Sequence, residues 1–157
     1  LNVHAFRNLG NASAIGAGVE NIDLCDSKRW DIEESYYVVF SHSVGGDAFV
    51  HTETNSSRLH FSIGAGNGRF GNKSDRDIVE GKGEHGTYVF GNVAYEVFNA
   101  FNVIADWNGV NLNTGISKNF FVGNKVPVVI TLGAADLTDN SGDGVRLIAG
   151  IGTGFML

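Results

Sequence analysis

Proline is nearly missing from this chain, with one among 157 residues, and cysteine is equally scarce, with Cys25 alone. A lone cysteine excludes an intrachain disulfide and leaves the redox compartment open. No stretch approaches the roughly 18 consecutive apolar residues of a spanning helix. A barrel stays compatible with that lack, because its strands need only about 9–11 tilted residues each. Positive charge is short as well: 11 Lys and Arg against 17 Asp and Glu give a net charge of −6. With no basic run, the balance argues against nucleic acid as a partner. Sustained i, i+3, i+4 apolar spacing is lacking, which confines helix to short turns. Leu1 follows neither a starting Met nor a signal peptide, giving the expectation of a processed product or a piece of something longer, in which an amino-terminal strand could be missing.

What the chain does have is glycine, 22 residues of it, set inside segments that alternate with a period near two. Glycine so placed marks bulges, bends or crowded interiors. Nine such segments read as strands. They are Leu1 to Arg7, Ser13 to Asn21, Glu34 to His42, Leu59 to Gly66, Thr87 to Val97, Phe101 to Asn108, Asn111 to Ser117, Val126 to Ala135 and Arg146 to Leu157. In the fourth, Leu59, Phe61, Ile63 and Ala65 oppose His60, Ser62, Gly64 and Gly66. An oily face against a small, polar one is what a barrel wall needs.

The connections after segments one, five and seven are tight, and those after two, four and eight are longer and acidic. Short turns at one end and long loops at the other are the habit of outer-membrane barrels. Two connections depart from it, the short one at Gly109 and the long one from Ser43 to Ser57. The expectation is all-β: one domain over residues 1–157, an up-and-down antiparallel barrel of about 8–10 strands. Bacterial single-chain barrels have even strand numbers. Nine therefore implies a missing strand, a mis-split strand or closure by another chain, and eight follows if Leu1 to Arg7 is no wall segment.

The ending Gly152-Thr-Gly-Phe155-Met-Leu157 resembles the carboxyl-terminal assembly signal of outer-membrane barrels, with Leu in place of the usual final Phe and Gly150 at the usual polar position. Four stretches carry a longer likeness: Ala17-Gly-Val-Glu-Asn21, Ser62-Ile-Gly-Ala-Gly-Asn-Gly-Arg-Phe70, Ile104-Ala-Asp-Trp-Asn-Gly109 and Ala135-Asp-Leu-Thr-Asp-Asn-Ser-Gly-Asp-Gly144. Through them the chain resembles an uncharacterised family of cyanobacterial proteins related to outer-membrane barrels, and loosely the barrels linked with exopolysaccharide export. The resemblance implies a fold and no reaction, so it transfers no catalytic residue.

Few residues suggest chemistry. Asp139, Ser141 and Asp143, followed by Gly144, space oxygen ligands as the start of a calcium loop does, and Asp136 could join them. The glutamate due at position twelve is replaced by Gly150, and a plain polar loop explains the same residues. The five histidines, 4, 42, 51, 60 and 85, are scattered, with His51 and Glu53 forming at most half a metal site. No Gly-x-Ser-x-Gly elbow surrounds Ser13, Ser62 or Ser117. The run Gly64 to Arg69 lacks the Lys-Ser/Thr end of a phosphate loop.

If the apolar residues face lipid, the lumen receives His60, Ser62, Asn92, Glu96, Asn102, Asp106, Asn113, Ser117 and Arg146, with Arg146 paired to Glu96 or Asp106. Tyr36, Tyr37, Phe70, Tyr95, Phe98, Trp107, Phe120 and Phe121 lie towards segment ends, as interfacial girdles do. The expected function is a non-enzymatic barrel of the cell outer membrane, structural or permeating, with a lipid bilayer as partner and acidic loops meeting divalent cations or surface polysaccharide. No cofactor is expected beyond the calcium weighed above. The alternative is a soluble barrel or sandwich, a binding module or a subunit of a larger extracellular or virion-like assembly.

Overall fold

The computed structural model describes residues 1–22, 34–51, 55–123, 126–138, 140 and 144–153. Nine strands form: β1 (Val3–Gly10), β2 (Ser13–Glu20), β3 (Ser35–Val44), β4 (Leu59–Gly66), β5 (Val89–Phe98), β6 (Phe101–Trp107), β7 (Leu112–Val122), β8 (Val126–Ala135) and β9 (Arg146–Thr153). They pair in chain order, each antiparallel to the next, as one up-and-down sheet. Each alternating segment becomes one strand. The eight-strand alternative fails, because β1 is laddered to β2 from Val3↔Val19 to Asn8↔Ala14. Strand β7 also runs past Ser117 to Val122, since Phe120 and Phe121 still pair with Val128 and Pro127.

The sheet does not close. Among the described residues no ladder joins β1 to β9, and both are exposed over all eight positions. Nine alternating strands leave the first and last running the same way, so the antiparallel bonding of every other pair is unavailable between them.

Directly paired residues share a face of the sheet, and the register sorts the side chains cleanly. One row across the first face reads Ile15, Phe40, Ile63, Gly91, Trp107, Leu112. A second reads Val44, Leu59, Tyr95, Val103, Ile116, Leu132, Ala149. On the opposite face one row is Asn8, Ala14, Ser41, Ser62, Asn92, Asp106, Asn113, and another is Glu96, Asn102, Ser117, Thr131, Gly150. One face is oil, the other polar and small.

No dry core joins the two. Among the described residues only Phe70 and Ala135 are buried apolar side chains. The accessible surface is 10754 Å², against about 7,600 Å² for a compact globule of this mass. The only helix among the described residues that is longer than a single 3-10 turn is α1 (Asp75–Val79), held at its start by a reciprocal capping box between Ser74 and Asp77. Among the described residues no helix is long and apolar enough to cross a membrane, which says nothing of a barrel.

Candidate functional site

The polar face carries the candidate residues. All six expected lumen residues, His60, Asn92, Glu96, Asn102, Asp106 and Arg146, fall on it by register. They do not gather in one place. Three meet at the end where β5 turns tightly into β6: His60, Glu96 and Asn102 line a polar cavity of about 400 Å³ with His51, Ser56, Asn99 and Asn119. Glu96 anchors it. One carboxylate oxygen accepts from the Ala100 backbone N–H at 2.7 Å and lies 3.6 Å from His51 Nε2.

The long β3–β4 connection is fastened beside this cavity. The Arg58 guanidinium donates to the carbonyls of Glu96 and Val97 at 2.9 and 2.7 Å. His60 is held between Ser43 Oγ, 2.8 Å from Nδ1, and the Ser57 carbonyl, 3.0 Å from Nε2. A second hollow of about 400 Å³ adjoins through His60, with Asn8, Ser41, Ser43 and Ser62 on its walls. Together they make a trough that mixes hydroxyl, amide and imidazole groups with the apolar surface of Ala12, Ala14 and Phe61.

At the other end the same face is knotted shut. Asn111 is 1% exposed and donates to Asp136 Oδ1 at 3.1 Å, while its own oxygen accepts from Thr138 Oγ1 and the Asn140 N–H, both at 2.9 Å. Asp136 Oδ2 receives the Arg146 Nε–H at 2.7 Å. Asn113 bridges the knot to mid-sheet, accepting from the Asp136 N–H and donating to Asp106 Oδ2. Arg146 therefore pairs with Asp136 rather than Glu96 or Asp106, because it opens β9 next to Ala135, at the long-loop end. Among the described residues no buried side-chain polar atom is left unpaired.

This bears on calcium. Asp139, Ser141 and Asp143 lie outside the described residues. Asp136 has both oxygens committed, one to an amide and one to a guanidinium, so a cation there would displace Arg146. Among the described residues no three His, Cys, Asp or Glu side chains converge as a metal site. His51 is paired with Glu96, while Glu53 lies outside the described residues.

An aromatic seam went unread in the sequence. Phe70, in a 3-10 turn after β4, stacks on Phe90 at 4.2 Å and meets Tyr37 edge-on at 5.6 Å. Tyr37 reaches His4 Nδ1 through its hydroxyl at 2.8 Å. Glycines make the room: a Cβ on Gly18 would sit 2.5 Å from Tyr37 Oη, and one on Gly66 2.6 Å from Phe70 Cδ2. Glycines on the small face flanked by large aromatics were the available signal. Tyr37, Phe70 and Phe121 thus leave the expected girdle for the polar face, while Tyr36, Tyr95, Trp107 and Phe120 stay on the apolar one. The final residues, Gly154 to Leu157, which carry most of the assembly-signal likeness, lie outside the described residues. Comparisons with protein-family models, curated proteins and solved structures return no match.

Proposed function

We propose that the chain forms the wall of an outer-membrane-type β-barrel, with a structural or permeation role and no reaction of its own. One observation carries this: an apolar face continuous across all nine strands, with Val38, Ile63, Val93, Val103, Ile116 and Leu132 each 40–54% exposed. Soluble monomers rarely expose a contiguous apolar patch above a few hundred Å². Acyl chains would cover this one, at roughly 25 cal/mol per Å² removed from water.

The face has a banded composition that suits a bilayer. Tyr36 and Trp107 lie near its long-loop end, Tyr95, Phe101 and Phe120 near its short-turn end, where headgroups meet hydrocarbon. Its basic and imidazole exceptions Arg7, His42 and Lys118 lie towards the short turns, within reach of an interface, while the uncharged Thr114 sits nearer the long-loop end. Lys118 Nζ bends back to the Asn99 carbonyl at 2.6 Å. The polar rows then face a lumen, the trough lies at its short-turn mouth, and the outer membrane is the place. The acidic loops at the far end would meet cations or surface polysaccharide.

The free edges favour a second reading, a subunit of a larger extracellular or virion-like assembly. Leu147 and Ile151 on β9 are 89% and 78% exposed, more than a finished wall would leave. Vesicle flotation separates the two. The refolded chain is expected to float with phosphatidylcholine vesicles and to migrate differently before and after boiling. A monodisperse species in lipid-free, detergent-free buffer overturns the membrane reading.

A further inference from the structure

Strands β1 and β9 bound the sheet and run in the same direction, since every odd-numbered strand does. Antiparallel closure between them therefore needs an odd number of added strands. We propose that the gap between β9 and β1 is an interaction surface for one extended antiparallel strand of another polypeptide, a proposal that rests on the barrel reading above. That strand adds main-chain hydrogen bonds to both edges at once.

The edge chemistry defines the partner. Exposed edges are usually blunted by lysine, proline, bulges or inward charge. From Leu147 to Thr153, β9 has neither lysine nor proline, and its pairing with β8 runs without a bulge. Strand β1 is better guarded, with Arg7 on the apolar face and a register shift between Asn8 and Gly10. The fitting strand is about eight residues long and alternates. Its apolar side continues Leu147, Ala149 and Ile151 towards Val3 and Ala5; its other side is small beside Gly150 and Gly152 and leaves room for Ile148 and Phe6.

Two closures by the described strands alone compete. A direct parallel pair is less stable per residue than an antiparallel one. A second copy brings nine strands, also odd, but fits only inverted, with its long loops at the opposite end. A wall inserted in one direction does not permit that.

The test uses the full chain refolded in micelles, with amide hydrogen exchange read on β1 and β9. The probe is a synthetic peptide of the Ser13–Glu20 sequence, the natural antiparallel partner of β1, against a scrambled control. Expected is a tenfold or greater slowing at both edges, with the chain still monomeric and the scrambled peptide silent. Slowing at neither edge, or at one alone, overturns the proposal. So does protection of both edges before peptide is added, which in a monomer means parallel closure and in a dimer a second copy. Flotation without peptide reports on the bilayer reading separately, so the two can fail independently.

Discussion

The two ends of the polar face are built from similar residues and do opposite things. At the long-loop end Asn111, Asn113, Asp136 and Arg146 are spent on one another, and Thr138 and Asn140 are tied to Asn111. At the short-turn end Glu96, Asn102, His51 and His60 surround open space. Acidic and amide residues are thus no guide to a site by themselves. Glu96 and His60 are also bonded to the protein, so what separates scaffold from site is the space: the first group packs on itself, and the second borders a cavity.

Substitutions at the two ends should differ accordingly. The largest effect is expected from Asn111→Ala, which strips partners from Asp136, Thr138 and Asn140 in a buried setting. A loss of about 3 kcal/mol in urea unfolding of the micelle-bound chain is expected. A loss below about 1 kcal/mol would show the knot to be incidental. Next comes Gly66→Val, where the new side chain meets Phe70 and the Tyr36 carbonyl, costing about 2 kcal/mol by the same measurement. An unchanged midpoint would mean that Phe70 is not held against the sheet.

Ser74→Ala removes the α1 cap and is expected to cost about 1 kcal/mol. Faster amide exchange should appear over 75–80 and nowhere in the strands. Smallest is Glu96→Gln, which keeps an acceptor for the Ala100 N–H and should stay within about 0.5 kcal/mol. If it destabilises as much as Asn111→Ala does, the contrast between the ends collapses.

The strands were legible because alternation is local. Leu59 to Gly66 announces both faces of β4 in eight letters, and the same period sorts Phe101, Val103 and Ala105 from Asn102 and Asp106. Alternation ends β7 at Ser117, because Asn119, Phe120, Phe121 and Val122 break the apolar–polar rhythm while their backbone still pairs with β8. The knot was illegible for another reason. Asn111 and Asp136 are 25 residues apart, and only the register of β7 on β8 brings them together. For Arg146, sequence gives the face but not the height along the strand, and so does not choose among Glu96, Asp106 and Asp136. For the trough, the residue types were readable, and the folding of the Ser43-to-Ser57 connection onto β5 was not.

That only Phe70 and Ala135 are buried oils among the described residues has a calorimetric consequence. The heat-capacity rise on unfolding comes chiefly from wetting apolar surface and averages about 12–15 cal/mol/K per residue in globular proteins. A lipid-free sheet whose apolar face is already wet has little more to expose, so its melting enthalpy should change little with temperature. The ordinary increment would return only when micelles or acyl chains are stripped from that face as the chain unfolds.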